Sequence, residues 1–152
     1  MKKLEFKTEI NAKPDKVWST MLNADTYREW TNVAWPGSSY VGNWKQGEDI
    51  RFVGDGNMGG TMATLLEVRK PEYLNAKHVA VLTPDGKEDR TSEEAKGWIG
   101  TTEEYTFTEK NGKTELKVVI NTSPAWESMF NDGWPKALNK LKEMCERKSV
   151  TA

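Results

Sequence analysis

SPAWESMFNDGWPKALNKLKEMCE, residues 123–146, is the stretch on which the fold turns. Ser123 is a natural N-cap and Pro124 a natural first helical residue, because its missing N–H would find no partner in the first turn anyway. From there Trp126, Met129, Phe130, Gly133, Ala137, Leu138, Leu141 and Met144 recur at helical spacing and make one broad apolar stripe. A long helix with one such stripe has to lie across another apolar surface. Pro135 sits inside it, removes one hydrogen bond, and is expected to bend it near residues 131–133.

Upstream the period changes to two. Leu4, Phe6, Thr8 and Ile10 alternate with Glu5, Lys7 and Glu9, as in a half-buried strand. Asn11-Ala12-Lys13-Pro14 stops that strand, and Val17, Trp18, Met21 and Leu22 then share one face of a short helix. Asn23 begins a second, with Asp25, Tyr27 and Trp30 behind it. Residues 31–42 read as irregular. Strand patterns resume with inward positions at Ile50 and Phe52; Met62, Thr64, Leu66 and Val68; Leu74, Ala76 and His78; Tyr105 and Phe107; and Leu116, Val118 and Ile120. Asn111-Gly112 is a type I′ hairpin signal. Residues 83–97 are the least apolar of the middle and predict a mobile loop over one end of the sheet. Thr91-Ser92-Glu93-Glu94 would cap a brief helix there, ended by Gly97. The order predicts an α+β fold in one domain over residues 1–152: an antiparallel sheet of six to seven strands, two short helices after strand 1 and a long C-terminal helix.

Composition excludes several classes. Cys145 is alone, so no internal disulfide forms, and with His78 the only histidine the structural zinc sets are missing. Cys145 reads as a small apolar filler. A reducing, cytoplasmic location is expected, with no metal and no cofactor. A formal net charge of −1, with both signs mixed along the chain, argues against nucleic acid. No apolar run reaches the roughly 20 residues that insert across a bilayer, and Met1–Ile10 lacks a signal-peptide core. Gly54-Asp55-Gly56-Asn57-Met58-Gly59 fits G-x-G-x-x-G, yet strand-like residues follow it at 61–68. It therefore reads as a glycine-rich hairpin turn, and nucleotide binding is excluded. Glu103 and Glu104 are adjacent on a strand and point to opposite faces. One should be solvated, while the other hydrogen-bonds near a pocket rim.

The chain resembles the START-like (SRPBCC, Bet v 1-like) superfamily of helix-grip domains. Within it, the chain is similar to the branch related to the C-terminal domain of the Hsp90 ATPase activator Aha1 and to the calicheamicin-resistance protein CalC. The residues that carry the likeness are Asn11-Ala12-Lys13-Pro14-Asp15-Lys16-Val17-Trp18, Trp30, Trp44-Lys45-Gln46-Gly47, Glu104-Tyr105 and Gly133-Trp134-Pro135-Lys136-Ala137-Leu138. The resemblance implies a curved sheet around the long helix with a cavity between them. It is not specific for a function.

The inward faces then supply the candidate ligand-binding residues: Phe52, Met62, His78, Tyr105, Phe130 and Trp134, with Trp30 and Trp44 near a mouth. These either simply fill a core or wall a partly open pocket. The seven Trp residues suit both readings. The expected function is a binding module for a small hydrophobic or aromatic molecule, without catalytic residues. One alternative is a co-chaperone-like domain whose partner is a chaperone ATPase. The other is an enzyme working through His78 and a nearby carboxylate.

Overall fold

The computed structural model describes residues 1–54 and 59–147. The chain order is β1 (Lys2–Ile10), α1 (Pro14–Leu22), α2 (Ala24–Asn32), β2 (Ser39–Val41), β3 (Asp49–Val53), β4 (Gly60–Arg69), β5 (Tyr73–Leu82), β6 (Glu88–Asp89), α3 (Glu93–Trp98), β7 (Thr102–Lys110), β8 (Lys113–Thr122) and α4 (Glu127–Glu146). The strands form one open antiparallel sheet in the order β1-β8-β7-β5-β4-β3-β2, with β6 pairing on β5. The sheet has eight strands rather than six or seven. The additional ones are β2 and β6, three and two residues long, too short to show an alternation.

The local signals explain most element ends. Pro14 starts α1, and Val17, Trp18, Met21 and Leu22 are its buried face. Asn111 (φ 54°) and Gly112 (φ 79°) join β7 to β8 with both central residues left-handed, as a type I′ turn requires. Ser123 accepts a hydrogen bond from the Ala125 N–H and opens a 3-10 turn, Pro124–Trp126, that runs into α4. Helix α4 continues through Pro135 and buries Phe130, Gly133, Trp134, Ala137, Leu138, Leu141, Met144 and Cys145. It packs against β1, α1 and α2.

Strand β4 departs from its reading. Its inward residues are Ala63 and Leu65, while Leu66 is 47% exposed and Met62 joins Ala80, Leu82, Val53 and Val79 in a separate cluster on the opposite face. The β4–β5 ladder holds two bulges, one with Val79 of β5 as its extra residue and one with Leu66 of β4, and the second is responsible. Leu66 is inserted into β4 and reverses its side-chain phase there, so a strict period of two cannot run the length of the strand. Met62 is thus a correction: it lies away from the helix side of the sheet.

Residues 83–97 hold the strand β6, which was not expected, and the start of the expected brief helix, α3, which is anchored by buried Ala95 and Trp98. Its N-cap is Ser92, whose hydroxyl accepts from the Ala95 N–H at 3.1 Å. Gly97 lies inside the helix rather than ending it. The glycine-rich segment joins β3 to β4, which are antiparallel neighbours, and the Gly54 N–H donates to the Gly59 carbonyl at 2.9 Å. The element that follows Gly59 is the strand β4, not the helix that a pyrophosphate site needs. Residues 55–58 of that segment lie outside the described residues.

The far end of α4 is tied to the β1–α1 connection through Glu146. Its carboxylate accepts from the Asn11 N–H at 2.8 Å and from Lys142 Nζ at 2.5 Å. The Asn11 hydrogen bond, then Lys142, hold this carboxyl below its ordinary value of 4.5. A value depressed by folding contributes stability above the ordinary carboxylate range, and that contribution is lost as pH falls through the folded value. Glu146→Gln should therefore cost less than about 1 kcal/mol at neutral pH and nothing in strong acid. Thermal midpoints of the two proteins should differ at neutral pH and converge on acidification; a gap that widened in acid would contradict the link.

Candidate functional site

Between the sheet and the helices α2 and α4 lie two contiguous hollows. The outer one, about 330 Å³, is lined by Trp35, Phe52, Thr61, Val81, Glu94, Trp98, Trp126 and Met129 among others. The inner one, about 190 Å³, shares Tyr27, Trp35, Phe52 and Trp98 with it and reaches Trp30, His78, Glu103, Tyr105, Phe130 and Trp134. Trp30, Phe52, His78, Tyr105, Phe130 and Trp134, all expected from the sequence, are therefore brought together. Trp44 is not in the lining. It stands behind it, with its ring 5.2 Å from Tyr40 and 6.0 Å from Phe52. Met62 is on the other face of the sheet.

The aromatic walls are mutually packed. Trp134 meets Trp30 at 5.8 Å, Trp35 at 5.5 Å and Tyr105 at 5.9 Å, and Trp98 stacks on Phe130 at 5.8 Å. Trp35 comes from the stretch read as irregular and is seated by a notch in α4: a Cβ at Gly133 would lie 2.6 Å from its ring. Gly133→Ala gains about 1 kcal/mol of helix propensity but forces Trp35 aside, a cost of about 1–3 kcal/mol. The expected result is a net loss of roughly 1 kcal/mol with a red shift of tryptophan emission. Raised stability with unchanged emission would mean that Trp35 does not rest on Gly133.

One polar cluster sits in this apolar setting. His78 Nε2 and Glu103 Oε2 are 2.5 Å apart, and the Tyr105 hydroxyl donates to Glu103 Oε1 at 3.1 Å. Strand pairing produces the cluster. Ala76 of β5 is directly opposite Glu103 of β7, and its small side chain leaves the carboxylate room to reach His78 two residues on. Tyr105 follows Glu103 by two and so shares its face. His78 is 2% exposed. Its other ring nitrogen, Nδ1, is buried without a partner among the described residues. Burial, then the nearby Glu103 charge, raises the Tyr105 hydroxyl well above its ordinary value and raises Tyr27 likewise. Both therefore remain neutral donors. Glu104 points the other way and accepts from Tyr73 at 2.5 Å; burial, then that hydrogen bond, pushes Tyr73 up to about 12.

Sequence reasoning missed Tyr27, Trp35, Thr61, Trp98, Trp126 and Met129 as lining residues. Thr61 was hidden by the β4 bulge at Leu66. Trp98 was hidden by treating its neighbours as loop. Glu103 was half legible, since the Glu103-Glu104 pair required one inward carboxylate without saying which.

A long helix laid over an antiparallel sheet, with an aromatic cavity between them, defines a helix-grip domain of the START-like class. Residues 11–146 match the family described as Activator of Hsp90 ATPase homolog 1-like protein, and the chain belongs to that family. Among solved structures it is similar to protein Ms6760 from Mycobacterium smegmatis, with a TM-score of 0.71 and 16% identity over 97% of this chain and 92% of that one. It is similar to the Aha1 dimer from Colwellia psychrerythraea, with a TM-score of 0.72 and 17% identity over 96% and 97%. Protein MLL2253 from Mesorhizobium loti has a TM-score of 0.76 and 14% identity over 98% and 100%. At such identities the likeness concerns the fold alone. None of the curated proteins compared matches the chain.

Proposed function

We propose that the chain is a binding module for a small hydrophobic or aromatic molecule held between the sheet and α4. The observation that carries this reading is the pair of contiguous hollows, about 330 and 190 Å³, the inner one walled mainly by aromatic rings. Sites for small molecules have this size and chemistry. Titration calorimetry against a panel of hydrophobic aromatic compounds tests it, and absence of saturable binding across the panel sinks it.

Binding should also register in α3, because Trp98 is at once part of that helix and part of the cavity wall. Few apolar side chains in residues 83–97 offset the entropy of ordering them, so their amides should exchange faster than those of residues 116–120 and slow when ligand is saturating. Equal protection without ligand would exclude a lid role, and unchanged exchange with ligand would separate this segment from binding.

A second reading, an acid–base enzyme, is favoured by the buried His78–Glu103 pair. Recovery of a bound compound unchanged supports the binding module. Conversion that is lost in His78→Gln supports the enzyme. A third, docking on a chaperone ATPase, draws on the family description alone; a stable complex with that ATPase unaffected by ligand would favour it.

A further inference from the structure

We propose that the cavity takes a compact organic cation, a protonated amine carried on an aromatic or apolar body. This rests on the cavity being a binding site and names the chemistry it selects. Glu103 at the inner floor and Glu94 at the outer hollow are its charged lining residues, and no Lys or Arg lines either hollow among the described residues. His78 supplies at most one positive charge against two carboxylates, so the lining stays net negative whether the imidazole is charged or neutral. A carboxylate or phosphate entering it would be buried against like charge.

The floor is also rich in acceptors. Each oxygen of Glu103 has one donor, from His78 or from Tyr105, and a carboxylate can accept about four. His78 Nδ1 is nine-tenths or more buried and without a partner among the described residues. An ammonium group brings donors and positive charge to such a floor, whereas a purely apolar ligand would leave it unsatisfied. The rings of Trp30, Trp35, Phe52 and Trp98 line the same cavity, and the face of an aromatic ring attracts a desolvated cation. The indole N–H groups of Trp98 and Trp134 are also buried without partners among the described residues, and they suit an oxygen acceptor elsewhere on the same molecule.

The test compares naphthylmethylamine, naphthylmethanol and naphthoate, matched in shape and differing in charge, by calorimetry and tryptophan fluorescence on the full chain. The amine should bind at least about tenfold tighter than the alcohol, with the acid weakest. In Glu103→Gln the advantage of the amine should disappear. If that variant does not fold, the ranking on the unaltered protein decides alone. An alcohol or acid that binds as well as the amine overturns the cation and leaves the binding reading standing. Saturation by none of the three also overturns the cation, and the wider aromatic panel then decides the binding reading separately.

Discussion

Trp134→Ala is expected to destabilise the protein by roughly 3–5 kcal/mol, the range for removing a large buried ring. The ring is 2% exposed and joins every layer that meets at the cavity. It stacks on Phe6 of β1 at 6.3 Å, lies 5.8 Å from Trp30 of α2 and 5.9 Å from Tyr105 of β7, and holds Trp35 in the connection after α2. Truncation would strip one side from each of these rings at once. The site cannot easily collapse, because the sheet behind it is fixed by ladder pairing on both sides of β7. One effect runs the other way: the indole N–H has no partner among the described residues, so its loss relieves a buried unsatisfied donor. The volume lost outweighs that relief. Trp134→Phe keeps a ring and loses the N–H, and should cost less than about 1.5 kcal/mol. Denaturant midpoints with unchanged slopes give both values. A cost below about 1 kcal/mol for the alanine variant would mean that these contacts do not form in solution.

The signals that were legible in the chain are the ones that repeat locally. The stripe from Phe130 to Met144 placed α4 and its buried face, and Leu4 to Ile10 placed β1. Asn111-Gly112 fixed the β7–β8 register, because few residues other than Asn and Gly tolerate two successive positive φ angles. What stayed hidden depends on partners distant in sequence. The bulge at Leu66, opposite Asn75 and Ala76, is a property of the β4–β5 pair rather than of β4 alone, so Met62 was read onto the wrong face. The cavity was hidden for a different reason: Phe52, Phe130 and Trp134 have the same volumes whether they close a core or leave a gap. The His78–Glu103 contact spans 25 residues of sequence and arises only because β5 and β7 are neighbours.

That contact leads to the second large effect. Glu103→Ala should destabilise by roughly 2–4 kcal/mol, since it leaves His78 Nε2 and the Tyr105 hydroxyl buried without the acceptor they share, at about 1–3 kcal/mol for each orphaned group. Glu103→Gln retains an amide oxygen for one of them and should lose about half as much. The informative variant removes both ends. His78→Phe with Glu103→Leu replaces the polar pair by apolar side chains and leaves only Tyr105 to find a new partner. Replacing a buried polar or ionic pair by well-packed apolar residues is often neutral or stabilising. The double variant is accordingly expected to lie within about 1 kcal/mol of the unaltered protein, well above Glu103→Ala alone. On the binding reading proposed above, the pair at the cavity floor then serves ligand selection rather than folding. The double variant should therefore keep its denaturation midpoint and lose its preference for naphthylmethylamine over naphthylmethanol. A double variant as unstable as Glu103→Ala would instead make the pair a structural strut between β5 and β7.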